Sequence, residues 1–580
     1  MTENREFENR PEDAGEQPAP DGAAVKEPKH SAVSRLLNRF FHHIDRGGTL
    51  RGEVAAGLTM FALAFCSVFL TMQVLANAQG AYALESGEGA DFYTSVYLAA
   101  MGVSFIGTLV IGLVARLPFV QMSGLSLTTM MIALLGADNG LTYYNLIFIS
   151  FLCSVLYAVV VSVPFVKEQV FAALPRPIRK VLPAATGLVL AFIALQTSGL
   201  ISFTDVTVYH TDEALSSGWS GVLSIPQIGA FSEMSEVLNA AMWLSFLSTI
   251  IAVVLYFVFK AMKLRHPAGV SFLLGTVLFF GLAFLIYPSA VTGWGRLWLV
   301  GADDAVQAHI GGGFETLFSN FGKAFSSETG GGLDFTAYEG SVPALIIGGL
   351  ISFLMLSMYD AEATFVAADE HLNLGADEQK NVMLAQICNA GMGVVSALAG
   401  VTPVQVGKES VAATGDGAKS GIASVVASLG FLLSMFLWVF VFFFATYTNP
   451  DVAFANGEYG HYGQGAYQLI IICTFGIADA VMIGVSLSMM KCLKNINWHE
   501  AAEWLPAVVT ALASLAFCNL AYGVGVGVIV YCIVYLLSFR SSPDEQFLPA
   551  AKANFLTRLK GIGIPTGCLA VLSILMFFML

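Results

Sequence analysis

Four acidic residues and one lysine lie inside long apolar stretches, where charge is rare. Asp360 and Glu362 share one stretch, Lys408 and Glu409 lie in a shorter one interrupted by Gly and Pro, and Asp479 lies in a third. When such stretches span a bilayer, a charge is costly and is usually retained for substrate contact or proton transfer. Asp360 and Glu409 are the strongest candidates for these roles. A structural pair that satisfies neighbouring backbone is the alternative.

Polar residues beside these acids suggest what a site would hold. Lys408 has two interpretations: it neutralises a carboxylate, or it helps to hold an anion where helix N-termini converge. Gln121 and Gln405 match in two similar segments, VQMSGLS at 120–126 and VQVGKES at 404–410. An amide carries donors and an acceptor together, which suits an uncharged heterocycle with mixed edges. Polar bonding between helices is the alternative.

Composition assigns these residues to a membrane protein. The 580-residue chain is 56% hydrophobic and 12% charged, with a net charge of −14, whereas a soluble domain has roughly 25% charged residues. Such a chain cannot cover a water-exposed surface with polar groups. Nucleic-acid binding is excluded as a main activity because no basic patch is present. No CxxC or HExxH pattern occurs, so the sequence predicts no metal, no cofactor and no enzyme chemistry.

Apolar runs and basic residues predict the arrangement in the membrane. About fourteen runs approach the length of about 20 residues that a spanning helix needs. Arg35, Arg39, Arg46 and Arg51 precede the first run, which predicts a cytoplasmic N-terminus. The two matching segments are seven spans apart, an odd number, so they form an inverted repeat. Paired short, interrupted spans of this kind are typical of transporters with broken helices at the midplane.

Around these matching segments and the acids near them, the sequence resembles the nucleobase–cation symporters, the xanthine/uracil permease superfamily. Within it, the sequence is most similar to the branch of bacterial adenine/guanine/hypoxanthine permeases. The resemblance covers residues 50–540. The segments that carry it are RGE at 51–53 with GLTMF at 57–61, LPRP at 174–177 with GLVLAFIALQ at 187–196, and INW at 496–498 with LPA at 505–507.

The resemblance implies an all-α polytopic fold of fourteen spans in two inverted repeats of seven. It implies a core domain of spans 1–4 and 8–11, a gate domain of spans 5–7 and 12–14, and short extended stretches in spans 3 and 10. The expected divisions of this chain are a disordered cytoplasmic tail at 1–48, core segments at 50–166 and 342–447, gate segments at 167–290 and 448–540, an extracellular loop at 291–341, and a C-terminal segment at 541–580 with an extra apolar helix.

The resemblance also implies a substrate site between the two domains. The acids of spans 8 and 10, which hold the nucleobase in that family, correspond to Asp360 and Glu409. The lining departs from the branch at 122–128 and at 405–407, and Lys408 is interposed before the second acid. The base that is carried therefore stays open. The residues expected to bind substrate are Asp360, Glu409, Gln121, Ser123, Gln405 and Gly407, and those expected to carry the coupling proton are Glu409, Asp360 and Glu362.

The sequence therefore predicts a secondary active transporter of the bacterial inner membrane. It is expected to import a nucleobase-like heterocycle, a purine, with protons or alternatively sodium, by an elevator-type motion. By resemblance, we expect a homodimer formed through the gate domain. An anion transporter of the same fold, for sulfate, bicarbonate or a dicarboxylate, is the alternative that Lys408 motivates. A channel or a non-transporting membrane sensor is the alternative from another class.

Overall fold

The structure of the protein is a computed structural model. It describes residues 31–78, 87–135, 140–197, 202–204, 208–210, 213–215, 222–224, 236–286, 315, 317–328, 330–372, 374–375, 378–436, 477–537 and 562–579. Parts of the expected divisions lie outside the described residues, among them 1–30 of the tail, 291–314 of the extracellular loop, 437–476, and 541–561 of the C-terminal segment.

The described chain is mostly helical. Its principal helices, in chain order, are α1 Ala32–Phe41, α2 Leu50–Ala78, α3 Gly87–Val114, α4 Leu125–Leu135, α5 Tyr143–Ser162, α6 Pro164–Ala173, α7 Arg176–Thr197, α8 Glu236–Ala261, α9 Pro267–Ile286, α10 Val342–Leu372, α11 Gln379–Leu398, α12 Glu409–Gly415, α13 Gly421–Phe436, α14 477–489, α15 Ala501–Ala516, α16 Leu520–Leu537 and α17 Ile564–Met579. Within the described ranges, seven helices are long and apolar enough to cross a membrane, and five shorter helices are also apolar. The count of fourteen spans and their inverted arrangement stay predictions.

Local chemistry sets several helix boundaries. The Thr142 hydroxyl accepts a hydrogen bond from the Asn145 N–H at 3.3 Å, and the Asn145 side chain accepts from the Thr142 N–H at 2.9 Å. This reciprocal capping box satisfies two donors that the first turn of α5 would otherwise leave unpaired. Pro164 begins α6, where its missing N–H removes no helical bond. Gly400 follows α11 with a φ of +74°, a conformation that glycine adopts without strain.

Two short strands interrupt the helical pattern at the expected extended stretches. Strands β1 Gln121–Ser123 and β6 Val404–Val406 pair antiparallel, with Met122 opposite Gln405. The Gly407 N–H also donates to the Val120 carbonyl at 2.9 Å. Irregular backbone at membrane depth is tolerated where it is buried and paired. The pairing therefore explains how two chain segments leave the helical conformation and place the starts of α4 and α12 side by side.

Four more strands lie between α7 and α8, so the described chain departs from the predicted all-α class only in short strands. These strands are β2 Ser202–Thr204, β3 Val208–His210, β4 Glu213–Leu215 and β5 Val222–Ser224, and they pair antiparallel as β2 with β5 and β3 with β4.

The helices around β1 and β6 pack against one another. Helix α13 packs on α2 and α3, α11 on α3 and α5, and α10 on α5 and α12. Gly421 lies so close to α3 that a side chain there would collide with the Gly112 carbonyl. Helix α7 packs on α15, and α15 on α16, while α17 packs on α16, α10 and α6. The division into core and gate domains stays a prediction.

Asp416 connects the turn after α12 to the start of α9. Its carboxylate accepts from the backbone N–H groups of Ala268 at 3.0 Å and Gly269 at 2.9 Å. These are donors of the first turn of α9, which has no helical acceptor for them. Burial raises the pKa of the Asp416 carboxyl to about 6, although the two N–H groups act in the opposite direction.

Candidate functional site

A cavity lies where β6 and the start of α12 face α2, α7, α10 and α14. It is polar on the side of α10 and α12 and largely apolar on the side of α7. The lining consists of Cys66, Ser67, Met122, Gly124, Leu190, Ile193, Ala194, Asp360, Gln405, Val406, Gly407, Lys408, Glu409, Ala478, Asp479 and Met482. The cavity therefore draws on helices from both the segments predicted as core and those predicted as gate.

An ion pair lies on the polar side of the cavity. The Lys408 ammonium donates to Asp360 Oδ2 at 3.0 Å and to the Ser126 hydroxyl at 2.7 Å. The side chains of Lys408 and Asp360 are 11% and 5% exposed. A buried ion pair persists when further hydrogen bonds satisfy its members, and Ser126 supplies one. The carboxylate that Lys408 neutralises therefore belongs to α10 and is distant in sequence.

Glu409 and Gln405 each offer the cavity an oxygen without a donor. Glu409 Oε1 accepts from the Ser67 hydroxyl at 2.6 Å, and the Gln405 amide nitrogen donates to the Ser357 hydroxyl at 2.9 Å. Glu409 Oε2 and Gln405 Oε1 are buried and have no hydrogen-bond partner among the described residues. Both residues are 3% exposed. Buried acceptors are rarely left unpaired, so the pair of oxygens indicates a ligand that brings N–H or O–H groups.

Two glycines leave room beside these oxygens. A Cβ atom on Gly407 would lie 2.6 Å from Glu409 Oε2, and one on Gly124 would lie 2.9 Å from Gln405 Oε1. Both distances are too short for a carbon atom, so a larger residue at either position would displace the acceptor. Gly407 was predicted as a site residue, whereas Gly124 was not.

The structure places four of the predicted site residues in the cavity lining and the other three outside it. Asp360, Glu409, Gln405 and Gly407 line the cavity. The residues outside it are Gln121, Ser123 and Glu362. The positions of these three residues follow from the alternation of side chains along the strand β1 and from the helical periodicity of α10.

Gln121 and Ser123 are directed away from the cavity because side chains alternate along a strand. Met122, between them, lines the cavity. The Gln121 amide lies between the Gly107 carbonyl, to which it donates at 2.9 Å, and the Asn389 backbone N–H, from which it accepts at 3.1 Å. The Ser123 hydroxyl accepts from the Thr402 hydroxyl. Both side chains are fully buried, so they bond elements together.

Glu362 is two residues beyond Asp360 on α10, a spacing that places two helical side chains on different faces. Its carboxylate accepts from the Gln386 amide at 2.8 Å. The Gln386 oxygen accepts in turn from the Lys167 ammonium. Glu362 therefore belongs to a separate polar cluster between α10, α11 and α6.

The cavity also contains polar residues that were not predicted as site residues. Asp479 was noted for its intramembrane charge but was not assigned to the site. Ser67 and Ser126 hold Glu409 and Lys408 in place. Serine in an apolar helix is common and gives no sequence signal, because its partner is fixed only by long-range packing.

Membrane-length apolar helices that enclose a polar cavity define a multi-pass membrane protein. No family model matches the chain. It is 23% identical over 498 residues to the guanine/hypoxanthine permease PbuO of Bacillus subtilis, covering 85% of this chain and 93% of that protein. It is 22% identical over 502 residues to the adenine permease AdeP of Escherichia coli, covering 86% and 90%. These matches confirm the predicted resemblance to the bacterial nucleobase permeases.

Among solved structures, the chain is similar to the transmembrane domain of a cyanobacterium bicarbonate transporter, BicA. The two are 14% identical with a TM-score of 0.41, and the match covers 83% of this chain and 97% of that domain.

Proposed function

We propose that the protein is a secondary active transporter that carries a purine base across the bacterial inner membrane together with protons. One observation supports this most: two buried oxygens, Glu409 Oε2 and Gln405 Oε1, lie in one cavity without donors among the described residues. A purine presents ring and exocyclic N–H groups that would donate to them. Relatives over most of the chain are named purine-base permeases, which favours this ligand class over other N–H donors.

The cavity offers surfaces that suit a flat heterocycle. The carboxylate of Glu409 would accept from a ring N–H, and Gln405 from a second one. The apolar side chains of Leu190, Ile193 and Met482 also line the cavity and would contact the ring faces. Asp360, held by Lys408, would complete the polar side.

Coupling to protons would use Glu409. It is the buried acid beside the ligand position that no basic side chain contacts among the described residues. A carboxylic acid at that position is neutral and a carboxylate is charged, so one proton changes the cost of carrying the site through the membrane interior. We propose that the helices of 50–166 and 342–447 move against those of 167–290 and 448–540, in an elevator-type motion that carries the cavity with them.

The wider assignments follow from the same proposal. The protein acts as a transporter without enzyme activity or a cofactor. Its N-terminus faces the cytoplasm, in accord with the arginines ahead of α2. We further propose a homodimer formed through the gate helices.

Ligand-induced thermal stabilisation tests the proposed ligand. The full-length protein in detergent is heated with adenine, guanine, hypoxanthine, xanthine, uracil, sulfate or a dicarboxylate at two pH values. A bound ligand raises the melting temperature by mass action. We expect at least one purine to do so in the wild-type protein and in Glu362→Gln, but not in Glu409→Ala. Stabilisation by sulfate or the dicarboxylate alone would contradict the proposal and support the anion alternative.

A further inference from the structure

Lys408 is a charged residue of the cavity lining that makes no contact with the purine in the proposed function. It lies between β6 and α12, and its side chain reaches across to Asp360 on α10 and Ser126 on α4. Two of its three N–H donors are used there. The buried Asp360 carboxylate is neutralised by a cation, and this chain supplies that cation as a covalently attached side chain.

The surroundings of the ammonium are those of a cation site. Asp360 Oδ2 and Ser126 Oγ, at 3.0 and 2.7 Å from Lys408 Nζ, are a carboxylate and a hydroxyl oxygen, the ligand types that hard metal cations prefer. Among the described lining residues, the charged groups are Lys408 and the acids Asp360, Glu409 and Asp479. The single lysine is thus the one positive charge among three acids.

We infer that the Lys408 ammonium takes the place of an exchangeable monovalent metal cation at Asp360, so that the cavity binds its ligand without sodium. A freely diffusing ion binds and leaves in each transport cycle, whereas a tethered ammonium stays with the site. The inference deepens the proposed function and rests on it for the identity of the ligand. Of the two coupling ions left open by the sequence, it favours the proton.

Substitution of Lys408 by an uncharged residue should make ligand binding depend on sodium. Lys408→Met keeps an apolar stem of similar length but removes the charge, which leaves Asp360 and Ser126 as an unoccupied pair of oxygen ligands. Sodium should then bind there. Lys408→Arg keeps the positive charge and should behave like the wild-type protein. Lys180→Met is the matched control, because Lys180 pairs with Glu503 away from the cavity.

The test compares melting temperatures in sodium chloride and in choline chloride of equal ionic strength, first without a base and then with hypoxanthine. We expect the wild-type protein, Lys408→Arg and Lys180→Met to melt at the same temperature in both salts. Lys408→Met should melt higher in sodium, increasingly so with sodium concentration. Its stabilisation by hypoxanthine should be lost in choline and restored by sodium.

Two results would overturn the inference. One is a sodium-dependent rise in the melting temperature of the wild-type protein that Asp360→Asn removes. The other is a folded Lys408→Met variant that is indifferent to sodium and still binds hypoxanthine as the wild-type protein does. If Lys408→Met does not fold, the melting temperatures of the wild-type protein in sodium chloride and in choline chloride test the inference. If hypoxanthine stabilises nothing in either salt, the proposed ligand is in question, while the base-free comparison still decides the role of Lys408.

Discussion

Replacing Glu409 with Gln should weaken purine binding by a predictable amount. The change removes one charge and keeps the size of the side chain. Glu409 uses Oε1 for the Ser67 hydroxyl at 2.6 Å and has Oε2 unpaired among the described residues, so one charge-assisted bond to the ligand is lost. Such a bond contributes about 1.5–3 kcal/mol, which corresponds to a roughly 10- to 150-fold rise in Kd.

The orientation of the new amide places the expected loss towards the upper end of that range. If the amide oxygen keeps the hydrogen bond from Ser67, the NH₂ group faces the cavity. A donor then meets the N–H of the purine, and neither group is satisfied. Isothermal titration of the detergent-solubilised protein with the stabilising base measures the Kd directly.

Glu362→Gln is the matched control for this experiment. It makes the same chemical change at a partly buried acid, but Glu362 bonds to Gln386 outside the cavity. Its Kd should equal that of the wild-type protein. Wild-type affinity in Glu409→Gln, or an equal loss in both variants, would refute the placement of the ligand beside Glu409.

Three further predictions follow from the structure. Asp360→Asn leaves the Lys408 ammonium buried without its counter-ion and should destabilise the protein by about 3–5 kcal/mol. Adding Lys408→Met should recover part of this loss of stability. Thermal melting measures the stability of both variants, and additive effects in the double variant would contradict the coupling of the two residues. Gly407→Ala places a carbon 2.6 Å from Glu409 Oε2 and should reduce purine affinity in the same titration, whereas an unchanged Kd would show that this oxygen does not meet the ligand. Burial raises the pKa of Asp416 above its ordinary value, to about 6. The stabilising contribution of Asp416 is therefore complete at pH values below its ordinary pKa, and it is lost as the pH rises through about 6. Asp416→Asn should therefore show a smaller fall in melting temperature across that interval than the wild-type protein, and parallel curves would contradict the assignment.

The features predicted well from the sequence are those set by local composition. Seven long apolar runs are membrane-length helices in the described residues, and the extended stretches that the resemblance implies are found as the strands β1 and β6. Asp360 and Glu409 could be singled out because charge inside an apolar run is conspicuous. The structure places both in one cavity lining.

The features that could not be predicted depend on the direction of a side chain or on long-range packing. The two similar segments match Gln121 with Gln405. However, the strand register places Met122 opposite Gln405, and alternation directs Gln121 away from the cavity. Neutralising a carboxylate is one of the two interpretations of Lys408 from the sequence, but the sequence does not show that its partner is Asp360. Ser126 completes that contact without any signal in the sequence.

Transport itself tests the central claim most directly. Wild-type protein, Glu409→Ala and Glu362→Gln are reconstituted in liposomes, and uptake of labelled hypoxanthine, guanine and adenine is followed with and without an inward proton gradient. We predict uptake of at least one purine that the gradient accelerates, that Glu409→Ala abolishes and that Glu362→Gln retains. Uptake that is absent for all three bases in the wild-type protein, or that continues in Glu409→Ala, would contradict the account.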